Sequence, residues 1–175
     1  MPEEKDALLE SYEANIGKET LPQPCVWPAE LLTMQKVAWA AGDTNPLWWE
    51  EKYARKTCYG SIVASPAFLE WFVLRGAWPS RRDAALVCGV GLFGIDGTKG
   101  IRNVAGGKDC DYLRPIKPGD VLHLSHKLKS VKKRWSKSLN NNIYILNDEL
   151  VVKNQYNQVV AIHRNTSVRI PEKSR

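Results

Sequence analysis

At 175 residues, 43% of them hydrophobic and 25% charged, the chain has the balance of one soluble globular domain with a sizeable core. No run approaches the roughly 18 apolar residues of a membrane span. The charged start Met1-Pro2-Glu3-Glu4-Lys5-Asp6 lacks the apolar centre of an export signal, so no membrane association and a cytoplasmic location are expected. The formal net charge is +6, much of it in Lys127, Lys129, Lys132, Lys133, Arg134 and Lys137. No nucleic-acid motif accompanies that basic run, which reads as a solvated strand face and turn or as a contact for an anionic group.

In chain order, residues 7–16 suit a short amphipathic helix, and Pro22, Pro24 and Pro28 then enforce an extended path. Residues 29–41 read as a helix with Leu31, Met34, Ala38 and Ala41 on one face, Gly42 at its C-terminal end and a turn at Asn45-Pro46. A second short helix is expected over residues 50–56. Ser65-Pro66 starts a helix: serine caps free amides, proline at the first position loses no hydrogen bond, and Gly76 ends it. With Phe68, Leu69 and Phe72 on one face, it is the candidate central helix.

Strands dominate the second half. Residues 86–95 are apolar and glycine-rich, and residues 109–113 lead into the turn-rich loop Arg114-Pro115-Ile116-Lys117-Pro118-Gly119-Asp120. Residues 121–131 alternate, with Leu122, Leu124 and Leu128 on one face and Lys127 and Lys129 on the other. Residues 143–152 and 159–170 form a strand pair joined by Asn154-Gln155-Tyr156-Asn157-Gln158. Helices first and long strands after argue for an α+β domain, an antiparallel sheet packed on one main helix.

Two blocks carry chemical information: Asp43-Thr44-Asn45-Pro46-Leu47-Trp48-Trp49-Glu50-Glu51-Lys52-Tyr53-Ala54, and Tyr59-Gly60-Ser61-Ile62-Val63-Ala64-Ser65-Pro66. Together they resemble the hydratase signature of MaoC-like acyl-CoA and acyl-ACP hydratase–dehydratases: D-x-N-P-x-H, an acidic residue and Y-A, then a glycine-containing approach to the central helix. The A-S-P-A-F-L and R-P-I-K-P-G-D segments are most similar to the N-terminal, FAS1-like dehydratase branch. The resemblance implies a single hotdog fold, the sheet wrapped around the central helix, over residues 16–171, with residues 1–15 a helical extension and 172–175 a tail. It implies pairing into a double hotdog, with a sister subunit as heterodimer or heterotetramer, or otherwise as a homodimer. It implies reversible water addition to a 2-enoyl thioester, with coenzyme A or phosphopantetheine as part of the substrate and no separate cofactor or metal. The basic run would then face the phosphates of coenzyme A or an acidic carrier protein.

That reaction requires a base to activate water, an acid to protonate C2 and amide donors for the enolate-like oxygen. In this family an aspartate and a histidine share the proton transfers. Asp43 matches the aspartate, but Trp48 stands in the histidine's place, and an indole has one N–H donor and no basic site. A non-catalytic, substrate-shaping half of a heteromeric enzyme is therefore expected, with Asp43 either a vestigial catalytic group or the cap of a local turn. Pro66 has no N–H, which leaves Ala67 or a loop amide to hold the oxygen. Asn45, Trp48, Trp49, Tyr53, Ala64, Ala67, Phe68 and Trp71 are the candidate substrate-binding residues, and Trp48, Trp49, Tyr53, Phe68, Trp71, Phe72 and Trp78 line either core and interface or a tunnel for a bulky acyl group.

Two alternatives stay open. A stand-alone divergent hydratase or hotdog thioesterase would use Asp43, His126 or Glu70, the last a central-helix carboxylate, and an acyl-thioester-binding protein would perform no chemistry. His126 shares the face of Leu122, Leu124 and Leu128, and reads first as a satisfied core residue, while His163 lies with Val159 and Ala161. Arg114 reads as a brace for its loop. No histidine pair has metal-ligand spacing on one face, and Cys25, Cys58, Cys88 and Cys110 show no Cys-x-x-Cys spacing.

Overall fold

A computed structural model describes residues 6–20, 23–24, 28–69 and 100–172. Its frame is a five-stranded antiparallel sheet in the order β1-β3-β4-β5-β2: β1 Gln23–Pro24, β2 Ile101–Tyr112, β3 His123–Ser136, β4 Asn141–Lys153 and β5 Val159–Pro171. Consecutive long strands β3, β4 and β5 form a meander. The β4–β5 turn is tight: Asn154 Oδ1 accepts from Tyr156 N and Gln158 N, and Asn157 takes the left-handed conformation at φ 59°.

Strict alternation in β4 buries Tyr144, Leu146, Asp148, Leu150 and Val152 on one face. Leu124, His126 and Leu128 extend that face across β3, with the buried Leu122 just before it, as their spacing predicts. Against its Leu150 and Val152 end pack Met34 and Val37, Leu47, Ala54, Val63, and the fully buried Phe68 and Leu69. Residues 66–69 are the described start of the central helix. The other end of the face is covered by α1, Ala7–Glu13, whose Tyr12 ring lies 6.0 Å from Tyr144 and packs in one cluster with Leu128 and Leu146.

Helix α2, Leu31–Ala40, buries Met34, Val37 and Ala38, an i, i+3, i+4 stripe, whereas Leu31 is exposed. The expected stripe through Leu31 and Ala41 is thus rotated, because Val37 rather than the ends of the helix meets the core. Residues 86–95 and the expected continuation of the central helix, with Glu70, Trp71 and Phe72, lie outside the described residues, as do Trp78, Cys25 and Cys88. Among the described residues no helix is long and apolar enough to cross a membrane.

Candidate active site

The Asp-Thr-Asn-Pro segment is a chain of caps. Gly42, at φ 68°, donates to Trp39 O at 3.0 Å and Asp43 N donates to Ala38 O at 2.9 Å, the paired bonds of a Schellman helix end. Asp43 Oδ1 accepts from Asn45 N at 3.1 Å, and Asn45 Oδ1 accepts from Leu47 N at 3.0 Å to cap the 3-10 turn Pro46–Trp48. Trp49 Nε1 donates to Asp43 O at 3.0 Å. Asp43, Asn45 and Trp49 therefore form a compact corner, and Trp48 within it packs against the core, as Ala64 and Ala67 do. The short helix α3, Glu51–Ala54, follows, with Tyr53 on its exposed side.

Ala64 N donates to Ile116 O at 2.8 Å, which ties the approach to the central helix onto the proline-rich loop. That loop is braced from several sides. Asp120 Oδ2 accepts from Lys117 N at 2.8 Å, and Gly119, at φ 93°, donates to Ala29 O at 2.8 Å. Arg114 Nη1 donates to Val159 O at 2.8 Å, the structural role its surroundings suggest. Lys117 Nζ donates to Tyr59 O at 3.1 Å, and Tyr112 Oη donates to Pro66 O at 3.1 Å.

Between these pieces lies a cleft of about 210 Å³, with Trp48, Ala64, Ser65, Pro66, Tyr112 and Arg114 in its wall. Its wall is mainly apolar, and among the described residues it holds no carboxylate, imidazole or thiol. The Trp48 indole nitrogen and the Ser65 hydroxyl are both sealed from solvent without a hydrogen-bond partner. Each such orphan costs about 1–3 kcal/mol in a protein interior. Ser65 does not cap the helix with its side chain as the sequence suggests, since Phe68 N donates to the Ser65 carbonyl at 2.9 Å instead.

Of the candidate residues, the cleft brings together Trp48 and Ala64. Ala67 packs on the core, Phe68 is wholly buried, and Asp43, Asn45, Trp49 and Tyr53 stand outside the wall. Trp71 and Glu70 lie outside the described residues. Tyr59, from the start of the second motif block, and Tyr112 and Leu113, far along the chain, complete the cleft. Only the turn-rich character of the loop after Tyr112 signalled that this region is shape-critical.

His126 is in the core, not in the cleft wall. Its Nε2 lies 2.6 Å from Asp148 Oδ2, both residues are buried, and Asn165 Nδ2 approaches the same oxygen at 3.5 Å. Leu150 separates His126 from the buried His163 in the cross-strand row, and Cys110 continues it on β2. Among the described residues no cluster of three histidine, cysteine or acidic side chains is placed to hold a metal ion.

A "UPF0336 protein" of Streptomyces griseus is 29% identical over 99 residues, which span 57% of this chain and 59% of that relative's length. The ChsH1-ChsH2 complex of Mycobacterium tuberculosis superimposes with a TM-score of 0.70 at 21% identity, covering 95% of this chain and 91% of that one. The C-terminally truncated HadBC complex of Mycobacterium tuberculosis, a (3R)-hydroxyacyl-ACP dehydratase, matches with a TM-score of 0.65 at 17% identity over 88% of this chain and 96% of that one. These likenesses establish the hotdog fold. The model of the FAS1-like dehydratase domain region matches residues 31–163, well over half the chain, and the protein belongs to that family.

Proposed function

We propose that this chain is the non-catalytic, substrate-shaping subunit of a heteromeric acyl-thioester hydratase or dehydratase, and that a sister hotdog subunit supplies the catalytic Asp/His pair. The observation that carries this reading is the chemistry of the cleft. Trp48 stands where the family's base belongs, and no group able to take a proton from water stands in the described wall. Asp43 is committed to its corner. His126 is paired with Asp148 under the sheet and does not reach the cleft. Two of the similar structures are complexes of differently named hotdog chains, which supports a sister subunit as partner. The mainly apolar cleft suits an acyl chain carried on coenzyme A or phosphopantetheine.

The test is hydration of short, long and cyclic 2-enoyl-CoA thioesters, followed by loss of enone absorbance. The purified chain alone is expected to leave the absorbance unchanged. Mixing it with a hotdog protein that carries an intact D-x-N-P-x-H is expected to give turnover above that protein's own. Hydration by the isolated chain would overturn the proposal and return Asp43 and His126 to consideration.

A further inference from the structure

We infer that the Trp48 indole N–H and the Ser65 hydroxyl form a donor pair that grips the carbonyl oxygen of the acyl thioester, so that the residue replacing the family's base has become a substrate-holding group. This rests on the reading of the cleft as an acyl site.

The two atoms share one circumstance. Each belongs to a residue of the cleft wall, each is closed off from water, and each lacks an acceptor. Ser65 is 2% exposed, so bulk solvent does not reach its hydroxyl. Buried polar groups are ordinarily paired, and two unpaired donors on residues of one cleft point to a ligand acceptor. An indole nitrogen only donates, and a hydroxyl donates readily. Their natural complement is an oxygen with two lone pairs and no proton, which describes a thioester carbonyl.

The neighbouring groups narrow the choice. The Tyr112 hydroxyl gives its proton to Pro66 O, Arg114 Nη1 is bound to Val159 O, and Lys117 Nζ is bound to Tyr59 O. Val63, Ala64, Leu69 and Ile116 supply apolar wall beside the two donors, which suits an acyl chain attached to that carbonyl. Because neither donor touches solvent, the ligand oxygen reaches them through a small side-chain adjustment, of which rotation of Ser65 about χ1 is the least costly. Such a pair holds and polarises the carbonyl but moves no proton, in keeping with a subunit that positions substrate.

The probes are [1-13C]butyryl-CoA and its thioether analogue S-butyl-CoA, which lacks the carbonyl oxygen, each titrated against the full chain, Trp48→Phe and Ser65→Ala. The unmodified chain is expected to bind the thioester about tenfold more tightly than the thioether, as two modest hydrogen bonds would give. Its labelled carbonyl stretch should move to lower wavenumber on binding. Each variant should cut the preference to about threefold and reverse part of the band shift, a signature that a merely structural role would not produce. If Trp48→Phe melts early, Ser65→Ala, a change of one buried atom, carries the comparison. Equal affinity for the two probes with an unmoved band, or a preference unchanged in the variants, overturns the donor pair but leaves the acyl site standing. Binding of neither probe overturns both.

Discussion

Asp43 holds its corner through three different groups. Its backbone N–H closes helix α2, its carbonyl accepts from Trp49 and its carboxylate accepts from Asn45 N. Asparagine keeps the accepting oxygen, so Asp43→Asn is expected to change stability by no more than about 0.5 kcal/mol, whereas Asp43→Ala loses the cap and costs about 1 kcal/mol. Gly42→Ala is expected to cost about 1–2 kcal/mol, because φ 68° brings a Cβ against the following carbonyl. Thermal unfolding of the three variants checks the order, and a destabilised Asp43→Asn would contradict a purely geometric role. Asp148 is the buried counterpart. Removing it leaves His126 facing a void on the buried face of β3 and β4, so Asp148→Ala is expected to destabilise by about 3 kcal/mol, measured by urea unfolding. The sequence marks His126 as facing the core through its alternation with Leu124 and Leu128. It does not mark Asp148 as its partner, because the pairing depends on the β3–β4 register, which is shifted by a bulge between Leu128 and Ser130.

Among the elements, α1 is held at one end by a single carboxylate. Asp6 caps the helix through Leu9 N at 3.1 Å, accepts from the Tyr144 hydroxyl at 2.8 Å and lies 2.6 Å from Lys133 Nζ. Burial works to raise the Asp6 pKa, but the bonds from Lys133, Tyr144 and Leu9 outweigh it and hold the carboxyl below its ordinary value of 3.8. A lowered folded pKa means that the stabilisation is complete above about 3.8 and is lost as pH falls through the folded value. Amide exchange at α1 is therefore expected to accelerate on acidification below that point, and Asp6→Asn should abolish the acid step. An unaltered exchange profile in Asp6→Asn would show that the apolar packing of Leu8, Leu9 and Tyr12 holds the helix without the carboxylate. Elements with one buried face were legible in the sequence, above all β4 and β5. The ends of β3 and β2 were not. Beyond Val131 the β3–β4 hairpin carries exposed Lys132, Lys133, Arg134 and Trp135, so no apolar alternation marks the strand as it runs on to Ser136. Strand β2 begins at Ile101 rather than near Asp109 for a related reason: its side chains are exposed almost throughout, and Gly106 lies against Thr166, where a Cβ would come within 3.0 Å of its methyl group.

At the scale of the whole molecule, the approach to the central helix and the proline-rich loop converge on one cleft, and the division of labour proposed for it has a kinetic consequence in the heteromeric enzyme. If the sister subunit supplies both catalytic groups, Asp43→Asn in this chain is expected to leave kcat of the complex within about twofold, while the matching substitution in the sister's D-x-N-P-x-H should lower kcat by roughly 10²–10⁴, the span of a general acid–base contribution. Trp48→Phe should behave differently again, because it alters the wall of the cleft without touching a proton-transfer group. A binding wall that contacts substrate and transition state alike affects KM, and one that tightens as the carbonyl gains negative charge affects kcat as well. Steady-state rates for the three complexes, each checked for intact assembly, separate these cases. A collapse of kcat in Asp43→Asn with the complex intact would place this chain's aspartate in the chemistry and make the active site composite. A change confined to Trp48→Phe would keep it a substrate-shaping partner.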